Sequence, residues 1–244
     1  MIYLDYAATT PMMDEVVDAM LPYQKQFFGN PSSVYAAGRE AKKGLEESRE
    51  KVAAAVGAQP SEIVFTAGGT EADNLALKGV MAKADPRRRH VITTSIEHHA
   101  VLHSAEWLER QGYRVTFLPV DSNGVVSLDA LRDALSPETA LVSVMLANNE
   151  VGTIQPLREI VATVKEHSRA LVHTDAVQGL GKIPVDVTEL GVDLAAFAAH
   201  KLGGPKGVGA LYVRSKTSLA PQLHGGGQER GLRSGTPNVA GIVG

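Results

Sequence analysis

AAFAAHKLGGPKGVGALYV, residues 195–213, sets Lys201 in a glycine-rich turn between two apolar, strand-like runs. So short a connection predicts that the two runs pair antiparallel. An amine at the mouth of a sheet is either a side chain with its stem on apolar surface and its charge in water, or a nucleophile able to form a Schiff base. The stretch alone leaves both readings open, so its partners must come from elsewhere in the chain.

Working outward, β-rich runs alternate with helical or long connections at 63–66, 91–94, 114–118, 141–146, 171–174, 194–198 and 208–213. This rhythm predicts an α/β domain built on a mostly parallel sheet with helices on both faces, and a ligand at the carboxyl ends of the strands. Before it, residues 1–11 (MIYLDYAATTP) read as an extended arm, and Asp14 as the cap of a helix running to about Tyr23. Residues 28–33 (FGNPSS) are loop by composition, and an amphipathic helix over 35–56 is ended by Gly57. The expected organisation is an arm over 1–14 and one large domain over 15–244, with no repeat or linker.

Composition narrows the function. The 244 residues carry 24 Lys plus Arg against 27 Asp plus Glu, a net charge of −3, with no long run of one sign except Arg87–Arg89. That balance gives no electrostatic case for nucleic acid or an anionic membrane as a partner. No apolar run reaches the ~18 residues of a membrane span, and the N-terminus lacks a signal pattern, so a soluble, cytoplasmic chain is expected. With no cysteine among the 244 residues, disulfides, thiolate metal sites and a cysteine nucleophile are excluded within them.

Polar motifs cluster where strands end. Thr66-Ala67-Gly68-Gly69-Thr70 leads into a helix from Thr70 to about Lys83, either as a phosphate cradle of backbone N–H groups or as a plain turn capped by Thr70. It is neither a Walker A loop nor a dinucleotide fingerprint. His98, His99 and His103 follow the second strand without a carboxylate at a ligand spacing, so we assign no metal; an imidazole there can stack on a flat ligand or shuttle a proton. Asn148 and Asn149 offer amide donors and acceptors at the same edge. Asp175, ending an apolar strand in HTDAVQ, either caps the next helix or pairs with a cation. Phosphate turn, imidazole, amides, aspartate and lysine together suit a phosphorylated, aromatic, cationic aldehyde such as pyridoxal phosphate.

The chain resembles the cysteine desulfurases of the class V pyridoxal-phosphate-dependent aminotransferases. The resemblance rests on LDYAATTP, FGNPSS, EIVFTAGGTEADNLA, IEHHAVL, NNEVG, HTDAVQ, AHKLGGPKGVGALYVR and HGGGQERGLRSGT, in that order. It implies fold type I, a seven-stranded mixed sheet flanked by helices, in a homodimer whose cofactor site is completed across the interface. It further implies that Lys201 carries pyridoxal 5′-phosphate, Asp175 keeps the ring nitrogen protonated and His98 stacks on the ring. Gly69, Thr70 and His200 then lie at the phosphate, Asn149 and Gln178 beside the phenolic oxygen and the substrate, and Thr236 at the partner subunit's phosphate. The implied reaction takes sulfur from L-cysteine, gives L-alanine and a persulfide, and hands the sulfur to an acceptor or scaffold protein for iron–sulfur cluster or thio-cofactor synthesis.

Two departures bear on this. Ala198 stands where the family often has a serine donating to the phosphate, a loss of roughly 1.5–3 kcal/mol if unreplaced. The family continues into a smaller domain with the persulfide cysteine and a carboxylate-binding arginine, so these 244 residues alone are expected to bind cofactor without turning over cysteine. A selenocysteine lyase or aminotransferase of the same class, and a non-catalytic cofactor-binding scaffold, are the alternatives.

Overall fold

The computed structural model describes residues 2–244. β1 (Ile63–Thr66), β2 (His90–Thr94), β3 (Arg114–Leu118), β4 (Thr139–Ser143), β5 (Leu171–Asp175), β6 (Leu194–Ala198) and β7 (Gly209–Val213) form one sheet in the order β1-β7-β6-β5-β4-β2-β3. β7 runs antiparallel to β1 and β6, and every other neighbouring pair is parallel. The expected hairpin around Lys201 and the mostly parallel sheet are therefore both present. The apolar runs are near-continuous because most strands are covered on both faces; only β3, at an edge, exposes Arg114 and half-buries the next three residues.

The helices are α1 (Asp14–Lys25), α2 (Ala36–Ala55), α3 (Gly69–Lys83), α4 (His99–Arg110), α5 (Leu128–Ala134), α6 (Leu157–His167), α7 (Val187–Leu190) and α8 (Val239–Val243). Strand alternation divides the core between them. Val64, Ala196 and Leu211 face Leu75 and Leu77 of α3 and Leu108 of α4. Phe65, Phe197 and Tyr212 face Leu45 of α2, Leu131 of α5 and Ile160 of α6. No helix among the described residues is long and apolar enough to cross a membrane.

Three sequence readings need correction. Asp14 is not a cap: Met13 holds that position without a side-chain bond, and Asp14 and Glu15 lie in the first turn, where acidic charge favours the helix dipole. Thr70 is not a cap either, because α3 starts one residue earlier with Gly68 at its N-cap. A Cβ on Gly209 would come within 2.6 Å of the Gly68 backbone, so β7 passes too close for anything but glycine at that contact. Finally, the predicted strand 141–146 begins at Thr139 and ends at Ser143. Its continuation still bonds to β5, with Val144 N–H on the His173 carbonyl at 3.1 Å and Leu146 N–H on the Asp175 carbonyl at 2.9 Å. On the other side β2 has stopped at Thr94. There the Glu97 carboxyl stands in for a strand, accepting from Met145 N–H at 2.9 Å and Thr94 Oγ1 at 2.7 Å.

The edge strand β1 is clamped from the other end of the chain. Buried Arg49 on α2 makes a two-point ion pair with buried Glu229, at 2.7 Å and 2.8 Å. Arg49 also donates to the Ile63 carbonyl at 2.9 Å and lies 4.8 Å from the Phe65 ring centroid, while Phe65 N–H donates to Glu229 at 2.8 Å. One ion pair thus joins α2, β1 and the loop of residues 224–236.

Arg49→Ala should leave Glu229 buried without its cation and cost about 3–5 kcal/mol in urea unfolding, with Arg49→Met/Glu229→Gln recovering much of the loss. A single-variant loss within about 0.5 kcal/mol would show that the pair does not clamp β1. Burial pushes Glu97 up to about 8, against the Thr94 and Met145 donors. The folded chain then keeps a proton that the unfolded chain loses near the ordinary value of 4.5, so this group's contribution to stability falls as pH rises between those values. Glu97→Gln should flatten the fall by up to ~1.4 kcal/mol per pH unit across that window, read by urea unfolding at about pH 5 and about pH 8. An unchanged slope would place the titration elsewhere.

Candidate active site

The carboxyl ends of β2, β4, β5 and β6, with the start of α3, surround one cleft of about 310 Å³. Gly69, Thr70, His98, Asn149, Asp175, Gln178, Ala198, His200 and Lys201 all line it. Residues separated by more than a hundred positions meet because parallel strands deliver their ends to one edge of the sheet. Thr236 is elsewhere: it lines a separate depression with Arg233, Thr66 and Asn238.

At one wall, α3 opens with Ala72 N–H on the Gly68 carbonyl at 3.1 Å, leaving the N–H groups of Gly69 and Thr70 without helical acceptors. A Cβ on Gly69 would come within 2.7 Å of the Val177 side chain, so glycine keeps this wall close to the turn after β5. Glu71 accepts from Ala67 N–H at 2.9 Å and from Arg233 Nε at 2.8 Å, fixing the turn from outside. Ala198 is buried and supplies no donor.

At the floor, Asp175 Oδ1 accepts from Val177 N–H at 2.9 Å, and no cationic side chain forms an ion pair with Asp175 among the described residues. This is an aspartate-stabilised turn, not a helix cap, since residues 176–181 form no helix. Burial raises Asp175 to about 7, with the nearby Asp73 adding to the rise and the Val177 N–H, His173 and His98 opposing it. His98 caps α4 by accepting from Ala100 N–H on Nδ1 at 3.1 Å, which leaves Nε2 to carry the ring proton. His99 and His103 instead stack on each other, 4.9 Å between ring centroids, along α4.

Lys201 Nζ donates to the Ala8 carbonyl at 2.8 Å and to that of Ala7. Burial lowers its affinity for a proton, against the pull of Asp175 and Asp5. Gln178 Nε2 donates to the same Ala7 carbonyl at 2.8 Å, and His200 Nδ1 lies 3.1 Å from Thr9 Oγ1. The extended arm therefore closes one side of the cleft. Asn149 Nδ2 donates to Glu150 at 2.8 Å, whereas its neighbour Asn148 is structural, donating to the Ile96 carbonyl at 2.9 Å and accepting from Glu150 and Val151 N–H.

Sequence reading missed Ala8, Asp73, Met145 and Val177, which also line the cleft. Asp73 had a readable signal, since it stands one helical turn after Thr70 and so on the same face of α3. Ala8 and Met145 had none, because they arrive through contacts distant in sequence.

Known proteins agree with this geometry. The Aminotransferase class-V family profile matches residues 2–244. A cysteine desulfurase IscS of Dictyoglomus turgidum is 54% identical over 243 residues, covering 100% of this chain and 61% of that protein. An IscS-like cysteine desulfurase of Mycobacterium tuberculosis is 50% identical over 250 residues, covering 63% of its length. Among solved structures, a NifS-like protein superposes with a TM-score of 0.98 at 49% identity, covering 99% of this chain and 67% of its own, and SspA in complex with cysteine with 0.96 at 42%, covering 100% and 70%. The chain spans about three fifths of the length of the curated relatives it matches. The strand order, the cleft at the strand ends and the profile match over residues 2–244 lead to one assignment: the chain belongs to the Aminotransferase class-V family.

Proposed function

We propose that the cleft takes pyridoxal 5′-phosphate and that the protein acts as a cysteine desulfurase, taking sulfur from L-cysteine and leaving L-alanine. The observation that carries this reading is the convergence of Lys201, Asp175, His98 and the Gly69–Thr70 turn on one cleft. Its fit to the cofactor rests on charge as well as shape. Asp175 is a buried carboxyl in need of a cation, and a protonated ring nitrogen supplies one. The free N–H groups at the start of α3 suit a phosphate.

When bound, the cofactor supplies an aldehyde for an amine to attack and an electron-withdrawing ring that weakens bonds at the substrate's α-carbon. Lys201 would supply the attacking amine; burial favours the unprotonated form that attack requires, and Nζ would first exchange its bonds to the Ala7 and Ala8 carbonyls. Asp175 would supply the negative charge that keeps a ring nitrogen protonated. His98, its ring fixed by the Ala100 bond, presents Nε2–H to the cleft and covers one face of a flat ligand. With its amine free, Lys201 would move a proton at the substrate carbon. Asn149 and Gln178 orient the substrate and the phenolic oxygen.

Because the 244 residues contain no cysteine, the thiolate that takes the sulfur lies outside them. The position of Thr236 away from the cleft supports a homodimer in which it serves the second copy's phosphate. A sulfur-acceptor protein is the remaining partner, and residues 15–244 form the cofactor-binding domain.

Borohydride reduction after addition of pyridoxal phosphate should fix one pyridoxyl group on Lys201, and Lys201→Ala should carry none. An alanine variant that still gains one group at a single site would sink the assignment of Lys201. Equal amounts of sulfide and alanine released from L-cysteine, with an external thiol as acceptor and a relative's C-terminal portion supplied, test the reaction. We expect Lys201→Ala to lose roughly 100-fold or more; no alanine from cysteine under any of these conditions would overturn the desulfurase reading.

A further inference from the structure

Beneath the cleft lies a polar cluster that the reaction described above leaves unused. His173, two residues before Asp175 on β5, points to the same face of the sheet, towards α3. Its Nδ1 is 2.8 Å from Ser143 Oγ on β4, and its Nε2 lies 3.4 Å from Asp73 Oδ1 on α3. Both side chains are buried, at 0% and 1% exposure, and neither His173 Nε2 nor Asp73 Oδ1 makes a hydrogen bond with any described residue. A proton shared between these two atoms satisfies both at once, so the question is which of them owns it.

The donors around the three buried carboxyls decide. Glu97 receives two hydrogen bonds, from Thr94 and Met145, and Asp175 receives one, from Val177 N–H. Asp73 receives no backbone N–H or hydroxyl donor, although it is as deeply buried as the others. A carboxylate without donors, taken out of water beside a second carboxylate, is the costliest ion of the three. Burial accordingly drives Asp73 far towards its neutral form and holds His173 down at about 4. A neutral imidazole with an acceptor nitrogen facing a neutral carboxyl leaves no charge in that space.

We propose that Asp73 is a positioning residue, a neutral carboxyl that donates its proton from Oδ1 to Nε2 of His173, so that the negative charge at the floor of the cleft rests on Asp175. His173 then carries its own proton on Nδ1, towards Ser143 Oγ. The proposal deepens the reading of Asp175 as the partner of a cationic ring nitrogen and rests on it for its significance. An ionised Asp73 would compete for the same cation and pull it off the axis of Asp175.

The test reads the proton directly. In the full chain labelled with ¹⁵N-histidine, long-range ¹H–¹⁵N correlation distinguishes the two neutral tautomers and the cation, and His173→Gln identifies the signals of His173. We expect Nδ1 protonated and Nε2 unprotonated in the wild type. Asp73→Asn, whose amide also donates, should keep that pattern, and Asp73→Leu, which donates nothing, should move the proton to Nε2 or leave a mixture. A wild-type His173 protonated on Nε2, alone or with Nδ1, overturns the proposal by making Asp73 the acceptor, and it decides the matter even where the leucine variant fails to fold. An unaltered tautomer in Asp73→Leu overturns it equally. The spectrum does not require pyridoxal phosphate, so failure of the chain to take up the cofactor would count against the proposed function and not against this proton assignment.

Discussion

Asp73 on α3 and Glu97 and Asp175 at the strand ends are buried beside His173, Ser143 and Thr94 on one face of the sheet, and three carboxyls so far removed from water cannot all be charged. The constraint reaches well beyond these residues. Val177 N–H turns back onto Asp175, and Met145 and Thr94 converge on Glu97. It also explains why α3 is deeply buried over much of its length yet opens on a glycine pair: the helix covers the polar cluster with its body and offers N–H groups to a ligand with its first turn.

Much of this was legible in the sequence, for a physical reason. Strands buried on both faces read as apolar runs, and in a parallel sheet their ends share one edge, so the polar residues that close each run were already candidates for one site. Gly69, Thr70, His98, Asn149, Asp175 and Lys201 became visible in that way, and Gln178 through the family resemblance. What sequence could not show was the sideways order of the strands, and hence which closing residues are neighbours. β4 illustrates the limit: the run 141–146 is apolar throughout, but its pairing on one side passes from β2 to a glutamate fifty residues away in the chain, and no local pattern records that exchange. Asp73 was overlooked for a related reason, since its meaning comes from His173, a residue on another element.

The site also separates into parts with different physical demands. The Gly69–Thr70 turn is held through Glu71 by Ala67 and Arg233, and the His98 ring by its own helix, so neither depends on the arm. Lys201, Gln178 and His200 instead take their positions from the arm, through the carbonyls of Ala7 and Ala8 and the hydroxyl of Thr9. The first group forms a rigid receptor. The second is held by bonds that an incoming ligand can exchange one for one.

That arm has a consequence in time. Lys201 and Ala8 are 193 positions apart, and Met13 N–H pairs with the Gly203 carbonyl at 3.0 Å across a similar gap. During synthesis residues 7–13 therefore wait without these partners until the segment around Lys201 has been translated. Contacts so distant in sequence are slow to find. The lysine turn thus stays open until the arm, translated 193 positions earlier, folds back onto it.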